Sequence, residues 1–66
     1  MVKALRIRKQ DRVLVNDSIY IVTEIWIGKH QKYGFPKMIF TLVNIDEQIT
    51  YTCGIIDNIS LYKPSS

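Results

Sequence analysis

Cysteine is almost missing from this chain. Cys53 is the only one in 66 residues, which excludes an internal disulfide framework and a cysteine-based zinc site. It fits a reducing, cytoplasmic setting. There is one histidine, His30, and no serine or cysteine nucleophile falls at a spacing that pairs with it, so no catalytic residue is expected. The six acids, Asp11, Asp17, Glu24, Asp46, Glu47 and Asp57, follow no metal-loop pattern, and neither a metal nor a cofactor is expected. No run of ~18 apolar residues is present, so no helix crosses a membrane. The basic start has no apolar stretch after it of the kind a signal peptide needs. Glycine is sparse, and Gly28 and Gly34 lack the following helix that a phosphate-cradling loop requires.

What remains is a compact, mildly basic chain. A composition 47% hydrophobic and 23% charged argues for a packed fold rather than disorder. The length suits one domain, and such a chain buries only ~60% of the surface its unfolded form exposes. The net charge of +3 and pI near 9.2 permit a nucleic-acid partner without requiring one. The basic residues are segregated. Lys3, Arg6, Arg8, Lys9 and Arg12 lie in the first twelve positions, Lys29, Lys32 and Lys37 lie in the middle, and residues 38–62 contain none.

Apolar alternation predicts strands rather than helices. Residues 11–15 place Val13 and Val15 on one face and Arg12 and Leu14 on the other. Asn16-Asp17 tolerates left-handed backbone, as a two-residue hairpin turn requires. Residues 18–27 alternate with Ile19, Ile21, Ile25 and Ile27 on one face, broken only by Thr23, and Tyr20, Val22, Glu24 and Trp26 on the other. Trp26 therefore reads as part of a packed strand face. Residues 37–43 are apolar on both faces, as in a central strand. A polar turn over 44–48 leads to a strand over 49–53, where Cys53 reads as a buried small hydrophobe. Residues 54–59 fit a single 3₁₀ turn before a short last strand at 60–62. The expectation is an all-β, five-stranded SH3-like barrel with a 3₁₀ turn before its last strand. An OB-fold, the rival, normally needs more residues and a helix. The expected layout is a basic arm or edge strand over 1–10, the barrel over 11–62 and a tail over 63–66.

With those strands in place, residues 23–37 resemble the lysine loop of the translation initiation factor 5A family, close to Lys-Thr-Gly-Lys-His-Gly-His-Ala-Lys between two strands of a KOW-type SH3-like domain. Aligned without gaps, Lys29, Lys32, Gly34 and Lys37 meet Lys, Lys, Gly and Lys of that pattern. Residues 9–15 look like the first strand of such domains and 19–24 like the second. The resemblance implies the barrel and a loop that faces nucleic acid. The family's second, OB-type domain has no counterpart in these residues.

The candidate site follows from the loop. Lys29, Lys32 and Lys37 are suited to phosphates, His30 lies among them, and Tyr33 and Phe35 offer flat faces for stacking bases. Arg6, Arg8 and Arg12 would extend the footprint. The expected partner is nucleic acid, RNA ahead of DNA, with no membrane. The alternative is a protein partner, met through an aromatic groove of Trp26, Tyr33 and Phe35 or through docking as an accessory subunit.

Overall fold

The computed structural model describes residues 1–29, Lys32, Gly34 and 36–63. Its six strands are β1 (Val2–Lys3), β2 (Arg12–Val15), β3 (Ser18–Lys29), β4 (Pro36–Val43), β5 (Gln48–Gly54) and β6 (Asn58–Leu61). All pair antiparallel, in the order β1-β6-β2-β3-β4-β5. The fold is the SH3-like barrel that the sequence indicates, with one strand more, because Val2–Lys3 pairs with Ile59 and Asn58.

The β2–β3 hairpin closes on Asn16 and Asp17, which hold φ of 50° and 65°. Two left-handed residues in succession match the right-handed twist of the strands they join. The register places Val13 opposite Tyr20 and Leu14 opposite Ile19. Val13 and Tyr20 are buried while Leu14 and Ile19 are exposed, so the hairpin has one core face and one outer face.

Uniform alternation along β3 does not hold. Val22 pairs with Leu42 and Glu24 with Thr41, so Thr23 is an extra residue, a β-bulge. Each bulge residue reverses the phase of the side chains that follow. Tyr20 and Val22 therefore face the core before it, and Ile25, opposite Phe40, faces inward after it. Ile19 and Ile21 do not share a face with Ile25 and Ile27, and Trp26 is turned outward. The Thr23 hydroxyl donates to the Thr41 carbonyl at 3.3 Å, where the ladder is interrupted. On its other edge, the Val22 carbonyl accepts from the Gln10 N–H (2.8 Å) and its N–H donates to the Asp11 carbonyl (2.9 Å).

Strand β4 is central, paired along its length with β3 and β5. Its inward residues Met38, Phe40 and Leu42 join Ala4, Ile7, Val13, Tyr20, Val22 and Ile59 in the core. Each of the buried Val, Leu, Ile, Phe and Met side chains among them contributes about 1.5–3 kcal/mol by burial. The β4–β5 turn is organised by Asn44, whose Oδ1 accepts from the N–H groups of Asp46 and Glu47, both at 2.9 Å.

The 3₁₀ turn lies elsewhere than the sequence reading put it. It spans Ala4–Arg6, where the Ile7 N–H reaches the Ala4 carbonyl at 3.1 Å and fully buried Ala4 anchors the segment. Before β6 the chain makes a tight turn instead. The Asp57 N–H donates to the Gly54 carbonyl (3.1 Å) and the Asp57 carboxylate takes the Gly54 N–H (2.8 Å). The aspartate side chain competes with helical bonding there, so β6 starts at Asn58. The Ala4 N–H to the Asp57 carbonyl (2.8 Å) and the Leu5 N–H to the Ile55 carbonyl (3.2 Å) tie the N-terminal segment to this turn.

Candidate nucleic-acid interface

Beyond the bulge, β3 leaves β2 and runs with β4 as a ribbon. Its rungs are Trp26 with Ile39, Ile27 with Met38, Gly28 with Lys37 and Lys29 with Pro36. Strand β5 accompanies it as far as Gly54, opposite Lys37. The molecule is elongated, 41 × 22 × 19 Å. Lys29 is exposed at its end and Lys32 is exposed in the connection, where Gly34 holds a φ of 71° that suits glycine. Lys37 is half-buried. Its stem lies over Gly28, since a Cβ there would sit 3.7 Å from Lys37 Cε. His30, Tyr33 and Phe35, expected in the same loop, lie outside the described residues.

Trp26, which the sequence places on a packed strand face and gives only to the alternative aromatic groove, is the side chain whose surroundings differ most from expectation. It is 51% exposed on the outer face of the ribbon, and Ile27, on the opposite face, is 66% exposed. The signal was Thr23: a polar residue interrupting an isoleucine face marks the phase change that turns Trp26 outward. The three lysines of the arm therefore share it with an indole open to solvent.

The arginines are placed less uniformly. Arg6 ends the 3₁₀ turn. Its neighbour Leu5 bonds to Ile55, the residue after Gly54, so the topology brings Arg6 toward the Lys37 rung. Arg8 is exposed, and its backbone N–H is taken by the Asp11 carboxylate at 2.9 Å. Arg12 stands on the outer face opposite Ile21. At ~3.3 Å per residue, the Ile21 rung is ~23 Å down the strand from Lys29. Lys9 pairs with Glu24 at 3.4 Å, both half exposed. Such a surface pair adds at most ~1 kcal/mol and partly neutralises the middle of this side. The basic positions are spread along the sheet and over both faces: Arg12 and Lys37 fall on the face of Trp26, and Lys29 on that of Ile27.

Two further polar features have structural explanations. Tyr20 donates to Glu47 Oε2 at 2.6 Å. That hydrogen bond first, then burial and the carboxylate charge, raises the phenol above its ordinary value near 10. Cys53 is half-buried on the inner side of β5, and burial, with Asp57 adding, raises its thiol above its usual range. Among the described residues no three His, Cys, Asp or Glu side chains gather as a metal site. No helix there is long and apolar enough to cross a membrane.

No family model matches the sequence, and no curated protein matches it. Among solved structures, the chain is similar to a translation initiation factor eif-5a family protein from Naegleria fowleri ATCC 30863, with a TM-score of 0.79 at 22% identity. The match covers 94% of this chain and 45% of that one, so the chain spans under half the length of the protein it resembles. At that identity the likeness is one of fold: the barrel is built like a domain of that translation factor.

Proposed function

We propose that the chain is a non-enzymatic nucleic-acid-binding module that prefers RNA to DNA and works through the β3–β4 arm. The observation that carries this is the combination on one ribbon of Lys29, Lys32 and Lys37 with an exposed Trp26. Ammonium groups neutralise phosphates, and an exposed aromatic face stacks on any base, the pairing that single-strand binders use. Arg6, Arg8 and Arg12 extend the footprint, with Tyr33 and Phe35 adding aromatic faces beside Gly34. The ~20 Å between the Arg12 and Lys37 rungs, which share the face of Trp26, corresponds to ~6 steps of a nucleic-acid strand. The similarity to a translation factor supports RNA as the class.

Trp26 is the only tryptophan, so its fluorescence reports binding directly. Single-stranded RNA should quench it at low salt. Replacing Lys29 and Lys32 by alanine should flatten the slope of log affinity against log salt by about 1.4, at ~0.7 for each phosphate that the variant leaves unneutralised. Trp26→Ala, followed by anisotropy of labelled RNA, should weaken binding by ~5- to 150-fold. No quenching by mixed-sequence RNA or DNA at low salt would refute the proposal.

A second reading rests on the outer sheet face, where Leu14, Ile19 and Ile21 are each about two-fifths exposed on the side that carries Trp26. An apolar face of this kind fits a protein partner. Capture that resists salt and nuclease but is lost on Ile21→Glu would favour it.

A further inference from the structure

Glu24 is the acid that the proposed interface has to accommodate. Its pairing with Thr41 sets it on the outer face, the face of Trp26, and its side chain is half exposed. Along that face the rungs fall at ~7 Å intervals, two steps of ~3.3 Å each once the Thr23 bulge is left out. Arg12 and Ile21 come first, then Glu24 and Thr41, then Trp26 and Ile39, then Gly28 and Lys37. The carboxylate and the indole are thus neighbours, with a basic residue on the next rung at either side. The outward residues of β4 and β5 beside them, Ile39, Thr41, Thr50 and Thr52, carry no charge. A carboxylate at the centre of such a face repels phosphates, so it needs another role there. Lys9 offsets its charge, meeting it through Oε2 at 3.4 Å. That contact leaves most of the ~four lone-pair sites of a carboxylate open.

Given a nucleic acid on this face, as proposed, we infer that Glu24 reads the base that stacks on Trp26 and selects guanine. With phosphates at the Arg12 and Lys37 rungs, a base lying on the indole turns an edge toward the neighbouring rung. A carboxylate only accepts hydrogen bonds, so it favours bases whose edge donates. Guanine presents N1–H and the N2 amine side by side, and the two carboxylate oxygens meet both. Cytosine and adenine each present one amine beside a ring nitrogen that accepts. Uracil presents its single N3–H between two carbonyl oxygens, which the carboxylate repels. In a single strand these edges are unpaired and open to side chains. Guanine therefore ranks first and uracil last.

The test is anisotropy of labelled RNAs of about seven nucleotides, which provide the ~6 steps between the Arg12 and Lys37 rungs. Oligouridine is compared with the same strand carrying one central guanosine or one central inosine, which lacks the N2 amine. The wild type should bind the guanosine strand about 5- to 150-fold more tightly than oligouridine, with the inosine strand between them. Glu24→Gln should bind the three strands alike. Lys9→Ala breaks the same ion pair but keeps the carboxylate, and it should keep the preference, which separates base reading from a structural role of the pair. Circular dichroism melts should show both variants folded. Equal affinity of the wild type for the three strands, or a preference that survives Glu24→Gln, overturns the inference and leaves nucleic-acid binding in place. Binding of none of the strands overturns both.

Discussion

Deleting Thr23 tests the feature that sets the phase of β3. Without the extra residue, the two halves of the strand alternate in one register, and one half must turn over. Turning the basal half would expel Tyr20 and Val22, buried to 4% and 1% exposure, and break the Tyr20–Glu47 hydrogen bond. Turning the apical half expels only half-buried Ile25 and brings Trp26 inward, so that half gives way. The loss is about 1 kcal/mol for half of an isoleucine burial, about 1 kcal/mol for the Thr23–Thr41 hydrogen bond, and about 1 kcal/mol or more for overpacking by the indole. The total is roughly 3 kcal/mol. At ~2.1 cal/mol/K per residue, 66 residues give an unfolding entropy of ~0.14 kcal/mol/K, so Tm should fall by about 20 °C. Thr23→Ala keeps the residue count and should lower Tm by only about 7 °C. Thermal melts by circular dichroism supply both values, and Trp26 emission should move to shorter wavelength in the deletion alone. A deletion that melts with Thr23→Ala and leaves the emission unchanged would refute the phase argument.

Phe40→Ala removes the largest fully buried side chain and should cost about 3–5 kcal/mol, against a total of about 3–10 kcal/mol for a domain this size. Urea titration should find the variant largely unfolded or with a greatly lowered midpoint, and a small change would show that the core lies elsewhere. Tyr20, its phenol raised by Glu47, should ionise above pH 10 in an ultraviolet titration, and Glu47→Gln should bring it down. With the folded value above the unfolded one, the stability linked to this proton is fully present below about pH 10 and is lost as pH rises through the folded value. Cys53, raised by burial and by Asp57, should react with a thiol reagent at pH 8 more slowly than free cysteine, and match it in denaturant, as mass spectrometry would follow.

The barrel was legible because each of its signals is local. Asn16-Asp17 announces a left-handed turn, and a strand apolar on both faces, such as 37–43, can only be central. The phase of β3 was not legible from alternation alone, because a bulge leaves every residue type in place and changes only what faces what. Reading Ile19 to Ile27 as one face put Trp26 on a packed strand face and left it to the alternative aromatic groove rather than to the nucleic-acid site. The 3₁₀ turn was misplaced for a related reason. Glycine and Asx residues at 54–58 signal a turn, but the Asp57 carboxylate decides which kind, and nothing in Ala4-Leu5-Arg6 signals that Ala4 is buried. The three lysines read as one loop because they lie close in sequence, but the strand pairing extends further than the apolar alternation and puts Lys29 and Lys37 on the last rungs of β3 and β4. The placement of the arginines depended on pairings distant in sequence, Gln10 with Val22 and Leu5 with Ile55, which no local pattern carries.

The core stops at Met38. Among the described residues, none of the ribbon beyond the Ile27–Met38 rung is buried, so only its hydrogen bonds and twist hold the last rungs together. Those rungs can open with a free energy below that of global unfolding, and amide exchange should be fastest at Gly28, Lys29 and Lys37 while Val22 and Leu42 exchange through the global route. A ligand that clamps the arm would then slow exchange at those three amides alone. The barrel anchors one half of β3 as the other half adapts, so recognition and folding stability are carried by separate stretches of a single strand.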